Sequence, residues 1–323
     1  MFYYEFYRDE FYNDLKDITL KSFKLTSFDT DYNLNNFFGG KIAWELWLKP
    51  ALESERKKYC IICRDNNKAV GYLLFGAEAS YSKALNKKIG TIILLAIDEN
   101  YREKFNIAKN IINFSIQFFI EKSFKLITVG TDLNNLPAFI TYINLGFRPI
   151  LFWSTYRNYF DLKEKKFDAL EIKYLNDNNL IEFFLENLKR PLSLLIDKKI
   201  ENKEILQNFI KEIVKTDIQN KRLNLMGIFD NNECVGFFSF TKRNDISRVL
   251  NKNFVTIYDL IFLKENYNNL KILDSILIFL KEIGTEVAEV FIESDDFKLA
   301  NLLSKVGFQI VHNAVVLHKH LIK

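Results

Sequence analysis

The chain repeats itself, and that constrains its folding more than anything else in it. Asp65-Asn66-Asn67-Lys68-Ala69-Val70-Gly71 recurs as Asp230-Asn231-Asn232-Glu233-Cys234-Val235-Gly236, an offset of 165 residues. Glu99-Asn100-Tyr101 recurs as Glu265-Asn266-Tyr267, and Gly146-Phe147 as Gly307-Phe308. Three landmarks keep the same order at nearly the same spacing. The period is far longer than a solenoid unit, so it implies duplicated domains. The 323 residues suit two domains, and both halves carry enough apolar residues for a core. The charged stretch Lys163-Glu164-Lys165-Lys166 places the boundary, giving domains 1–165 and 166–323.

Each seven-residue repeat reads as strand, Asp-Asn turn, strand. In the first copy, strands are expected over Phe2–Tyr7, Tyr59–Arg64, Ala69–Ala77, Lys88–Asp98, Phe124–Thr131 and Phe147–Leu162. Helices are expected over Asp9–Phe23, roughly Trp44–Lys57, a segment through Ala108, Ile112 and Phe119, and Leu136–Asn144. The last should end at Gly146 in a left-handed cap. The second copy follows suit, with a strand ending at Phe262, a helix through Leu273 to Leu280, and strand, helix and strand over Val287–Glu293, Phe297–Lys305 and Phe308–His320. The fold class is α/β: two tandem domains, each a mixed, mostly antiparallel sheet flanked by helices.

Two constellations stand out. On a helix, Asn135, Ala138 and Tyr142 fall on one face, followed by Gly146-Phe147. Pro137 suits the first turn of that helix. Upstream, Ile97-Asp98-Glu99-Asn100-Tyr101-Arg102-Glu103-Lys104-Phe105-Asn106-Ile107-Ala108-Lys109 joins a buried strand to an amphipathic helix. Such a junction offers free backbone N–H groups to phosphates.

The helix strip resembles the final helix motif of the GCN5-related N-acetyltransferase (GNAT) family, and the junction resembles its pyrophosphate loop. The resemblance implies acetyl-CoA as acyl donor and no metal. It implies CoA contacts from Ala96, Ile97, Arg102, Lys104, Phe105, Asn106, Ile107, Ala108, Lys109, Asn135, Ala138 and Phe139. Tyr142 would protonate the departing CoA thiolate. Asn106 stands where the family's first loop glycine is expected, and asparagine tolerates a left-handed backbone. The strand ending at Ile97 would offer an N–H to the developing oxyanion. No carboxylate lies in Thr91–Ile97, so Glu78 is the nearest candidate base, set against an ordinary surface glutamate. In the second copy the matching positions are Asp296, Leu299 and Leu303, so no proton donor remains there. The implied activity is N-acetyl transfer by the N-terminal domain to a small-molecule or peptide amine. The competing expectations are a non-catalytic acyl-CoA-binding or interaction module and, last, an aminoacyl transferase using charged tRNA.

Other signals point elsewhere. Cys60-x-x-Cys63 has redox or zinc spacing, but on a strand an offset of three points to opposite faces. His312, His318 and His320 could share a strand face and bind a metal, and exposed terminal histidines are the preferred reading. Phe37, Phe38, Trp44 and Trp47 could line a substrate pocket or pack in the core. The net charge of +4 is spread among interspersed acids and bases, which argues against a nucleic-acid partner. No apolar run could span a membrane, and no signal peptide is expected. Three cysteines outside any disulfide framework point to a cytoplasmic setting.

Overall fold

The computed structural model describes residues 2–23, 31, 40–102, 105–160, 169–190, 193–264 and 267–321. They form two compact units. The first holds residues 1–152 and 312–323, and the second holds 153–311.

The first unit begins with β1 (Phe2–Phe6) and α1 (Tyr12–Ser22). A π-helical turn over Ala43–Leu48 runs into the short α2 (Lys49–Leu52). Then come β2 (Cys60–Asp65), β3 (Lys68–Ala77), α3 (Ala79–Leu85), β4 (Ile89–Ile97), α4 (Ile107–Glu121), β5 (Leu126–Asp132) and α5 (Leu136–Asn144). The strand β6 (Arg148–Tyr159) passes into the second unit. There follow β7 (Glu171–Tyr174), α6 (Asn178–Glu186), α7 (Ser193–Ile196), α8 (Lys203–Gln219), β8 (Asn224–Asp230), β9 (Glu233–Lys242), α9 (Asn244–Leu250), β10 (Phe254–Phe262), α10 (Asn269–Glu282), β11 (Val287–Glu293) and α11 (Phe297–Lys305). The last strand, β12 (Gln309–His320), returns to the first unit.

Each sheet is antiparallel except at one central pair. In the first unit β1 to β4 pair in sequence, β4 runs parallel to β5, and β12 closes on β5 from Ala314↔Asp132 to His320↔Leu126. In the second unit β7 to β10 pair in sequence, β10 runs parallel to β11, and β6 closes on β11 from Trp153↔Glu293 to Tyr159↔Val287. The final strands of the two sequence copies are therefore exchanged. The charged stretch at 163–166 lies outside the described residues.

Two apolar layers sandwich the first sheet. Ile61, Leu73, Ile92, Ile127, Val129, Val315 and Leu317 pack with Ile111, Ile112 and Phe119 of α4 and with Tyr142 of α5. On the other face Ile62, Tyr72, Leu74, Leu94 and Ala96 pack with Leu15 and Ile18 of α1 and with Trp44 and Leu48. Cys60 belongs to the second layer and Cys63 to the first, as strand alternation requires. Full burial of a side chain the size of Phe119 contributes roughly 1.5–3 kcal/mol.

The repeated landmarks turn out to be partners. Tyr101 Oη donates to Asp65 Oδ2 at 3.2 Å, and Tyr267 Oη donates to Asp230 Oδ2 at 2.7 Å. The same bond ties the loop after the long central strand to the hairpin turn in both units. Ser82 Oγ accepts from Ile89 N and Ser247 Oγ from Phe254 N, each at 2.9 Å.

Candidate active site

The central strands of the first unit part company. β4 and β5 pair only from Ile89↔Leu126 to Ile92↔Val129, yet β4 continues to Ile97 and β5 to Asp132. Ile93 forms a bulge against β3, since Leu94 pairs with Leu74 and Ile92 with Phe75. Asp98 N–H donates to Val70 O, so by alternation Leu95 and Ile97 turn their N–H groups away from β3, toward the gap. The Ala96 side chain is buried under α1. Ile97 O accepts from Arg102 Nε at 3.1 Å and from Ser22 Oγ at 3.2 Å.

The loop beyond Ile97 makes a 3-10 turn over Glu99–Tyr101, started by Asp98 Oδ1 accepting from Asn100 N. Lys104 lies outside the described residues. Phe105 and Asn106 both take left-handed backbone, with φ of +60° and +52°. Asparagine tolerates this, whereas a phenylalanine there stores strain of about 1–2 kcal/mol. The exposed Phe105 ring rests on Phe2 at 5.0 Å between centroids.

α4 then starts without a side-chain cap. Asn110 N–H is the first to find an intrahelical acceptor, Asn106 O at 2.9 Å. The N–H groups of Ile107, Ala108 and Lys109 have no partner among the described residues, and the positive end of the helix dipole adds to them. Ile107 buries its side chain in the core, while Lys109 is exposed. A terminus of this kind can accept an anion, and the left-handed backbone before it leaves room for close approach.

α5 spans Leu136–Asn144, the expected range. Asn135 caps it, its Oδ1 accepting from Ala138 N at 3.3 Å, and Gly146 ends it at φ +80°. Ala138 and Phe139 pack against the core that holds Tyr142, while Leu136, Ile140 and Ile143 face outward. Tyr142 is 4% exposed and sets its ring edge-on to Phe147 at 5.4 Å. Its hydroxyl has no hydrogen-bond partner among the described residues. Burial alone pushes its pKa above the ordinary tyrosine value, so it stays protonated through the neutral range.

The remaining expectations sort as follows. Glu78 precedes α3 where Ala77 pairs with Gly90, at the closed end of the β4–β5 pair and away from the gap. Burial raises its carboxyl above the usual range. Trp44 is buried against Tyr12, Trp47 is exposed, and Phe37 and Phe38 lie outside the described residues. The expectation of exposed histidines fails at His318, which is 1% exposed and continues the buried run Ala314–Leu317 of β12. His312 pairs with Asp132, Nε2 to Oδ2 at 2.8 Å. Spacing could not announce that partnership, since 180 positions of chain separate the two residues.

The second unit keeps the frame but differs at the matching positions among the described residues. β10 and β11 also part, after Ile257↔Val290, and a bulge falls at Tyr258. The start of α10, however, is closed by its own residue, with Asn268 Oδ1 accepting from Lys271 N at 3.2 Å. Leu303 lies fully buried at the position of Tyr142. The face opposite α10 holds a salt bridge of Arg157 with Glu289 and another of Arg190 with Asp259, which also accepts from Ser239.

Parted parallel strands, a helix without a side-chain cap after the first and a buried tyrosine on the helix after the second are the features that the resemblance to the GNAT family implies. Residues 9–147 of the chain match the acetyltransferase (GNAT) family. Solved structures extend the likeness of fold over both units. A GCN5-related N-acetyltransferase from Sphaerobacter thermophilus aligns at 9% identity with a TM-score of 0.61, covering 99% of this chain and 95% of that one. A putative acetyltransferase from Pyrococcus horikoshii aligns at 12% identity and TM-score 0.52, covering 99% and 90%. A tandem GNAT protein from the clavulanic acid biosynthesis pathway aligns at 11% and 0.51, covering 81% and 82%. No curated protein matches the sequence. Among the described residues no helix is long and apolar enough to cross a membrane.

Proposed function

We propose that the first unit transfers an acetyl group from acetyl-CoA to a primary amine of a small molecule or peptide, and that the second unit is a structural partner without transferase chemistry. The observation that carries the reading is the contrast between equivalent helices. The N–H groups at the start of α4 have no partner among the described residues, whereas Asn268 caps the start of α10. The unpaired N–H groups and the left-handed Phe105–Asn106 backbone suit a pyrophosphate, and the β4–β5 gap suits an extended pantetheine arm.

When bound, acetyl-CoA supplies the thioester. The chain does the rest. Ile107, Ala108 and Lys109 hold the phosphates through backbone N–H groups. Asn135, Ala138 and Phe139 flank the arm from α5. Leu95 or Ile97 N–H, directed into the gap, steadies the oxyanion. Tyr142 gives its proton to the leaving sulfur and regains one from solvent.

Thermal shift against acetyl-CoA tests binding, because a ligand specific for the folded state raises Tm as its concentration exceeds Kd. Thiol release over a panel of primary amines then tests transfer. No shift at millimolar acetyl-CoA would remove the proposal.

A further inference from the structure

Strand alternation places the His312–Asp132 pair. Ile127 and Val129 of β5 and Val315 and Leu317 of β12 point to the α4–α5 face. Asp132 and His312 are out of phase with them, so both point to the opposite face, where α1 packs. Their contact at 2.8 Å agrees with that phase. Register gives the depth. Asp132 lies three positions past the last β4–β5 pair, level with Leu95 across the gap. The pair stands beside the gap, on the face of the sheet opposite to Tyr142.

The pair is also incomplete. Asp132 Oδ1 accepts from Asn134 N, but the buried Oδ2 accepts no well-aligned hydrogen bond even with His312 Nε2 beside it. Turning Nε2 to Asp132 leaves the lone pair on Nδ1, which has no partner among the described residues.

We infer that His312 is the base that takes a proton from the acceptor ammonium in the first unit, with Asp132 as its positioning residue. The inference rests on the acetyltransferase reading above. The ammonium gives one proton to His312. The neutral nitrogen then forms its bond to the thioester carbon, and the carbon–sulfur bond breaks. The new amide nitrogen loses a second proton. Of the two protons released, one ends on the CoA thiol by way of Tyr142 and the other in solvent. An imidazole suits the task because one ring nitrogen can accept a proton while the other faces Asp132. By the offset that matches Gly307 to Gly146, the counterpart of His312 is Leu151 on β6, the strand that pairs with β11, so leucines, Leu151 and Leu303, stand at the positions matching His312 and Tyr142.

Two nucleophiles separate this role from a structural one. Ethanolamine arrives as an ammonium at pH 7 and needs a base. Hydroxylamine, whose conjugate acid is much stronger, arrives neutral. His312→Gln and Asp132→Asn keep hydrogen-bonding groups in place. Each should lower kcat for ethanolamine by about a hundredfold. Hydroxylamine turnover should stay within about threefold, and the acetyl-CoA thermal shift should match wild type. Equal losses for both nucleophiles, or no loss with ethanolamine, would overturn the assignment while the acetyltransferase reading stands. Failure of the wild type to bind acetyl-CoA would overturn both.

Discussion

Replacing Tyr142 by Phe removes one oxygen from a site where it has no hydrogen-bond partner among the described residues. The ring keeps its burial and its contact with Phe147. Two magnitudes follow. A lost general acid lowers turnover by about a hundredfold at least, or about 2.7 kcal/mol of transition-state stabilisation. Losing a hydroxyl that bonds to no described residue changes the stability of the fold by less than about 1 kcal/mol. In a domain of this size that keeps Tm within about 2–4 °C of wild type. The pH dependence has a definite sign as well. The protonated form acts, and burial raises the pKa, so wild-type kcat should show no alkaline fall from this group below about pH 10. The assay is thiol release at saturating acetyl-CoA, with a parallel melt. Wild-type kcat in Tyr142→Phe would refute the acid role. A fall in kcat accompanied by a fall in Tm beyond that range would refute the reading of the hydroxyl as structurally idle.

Three further outcomes follow from named contacts. Asn106→Val puts a β-branched residue at φ +52°, so it should destabilise by about 1–2 kcal/mol and weaken acetyl-CoA binding, whereas Asn106→Gly should preserve both in thermal-shift titrations. Glu78→Gln should raise Tm at pH 7, because a carboxyl whose folded pKa is raised destabilises the fold when ionised, and the gain should vanish as pH falls through that pKa; turnover should not change. Arg157→Met should cost about 3–5 kcal/mol in urea melts by stranding buried Glu289, and Arg157→Met with Glu289→Leu should recover most of it.

Much of the frame was legible because it is written in short-range chemistry. The Asp-Asn hairpins, the span of α5 and its glycine cap all follow from local preference and periodicity. The repeated landmarks were legible as a repeat but not as a bond, since Tyr101 and Asp65 meet only after the sheet forms. α3 escaped because Ala79–Leu85 is two turns long, too short for periodicity to speak. The helix strip and the phosphate loop could be read from residues within about 50 positions of one another. The His312–Asp132 pair could not, because its members meet through the strand exchange.

That exchange is invisible to patterning for a physical reason. β6 and β12 alternate alike, and β5 and β11 are equally long parallel partners of bulged strands. Alternation fixes which face a side chain takes and says nothing of which edge receives the strand. The consequence reaches chemistry. β12 lends the first unit Val315 and Leu317 for its core and His312 beside its gap, and it follows directly on the second unit's last helix. The second unit, with Leu303 at the position of Tyr142 and Asn268 capping α10, supplies the helix after which β12 begins. Its charge pairs, the buried Arg157–Glu289 and the partly buried Arg190–Asp259, occupy the face where the first unit has Thr128 and Leu94. Such pairs add little net stability over apolar packing, so they speak for one fixed arrangement of strands and not for a site in use.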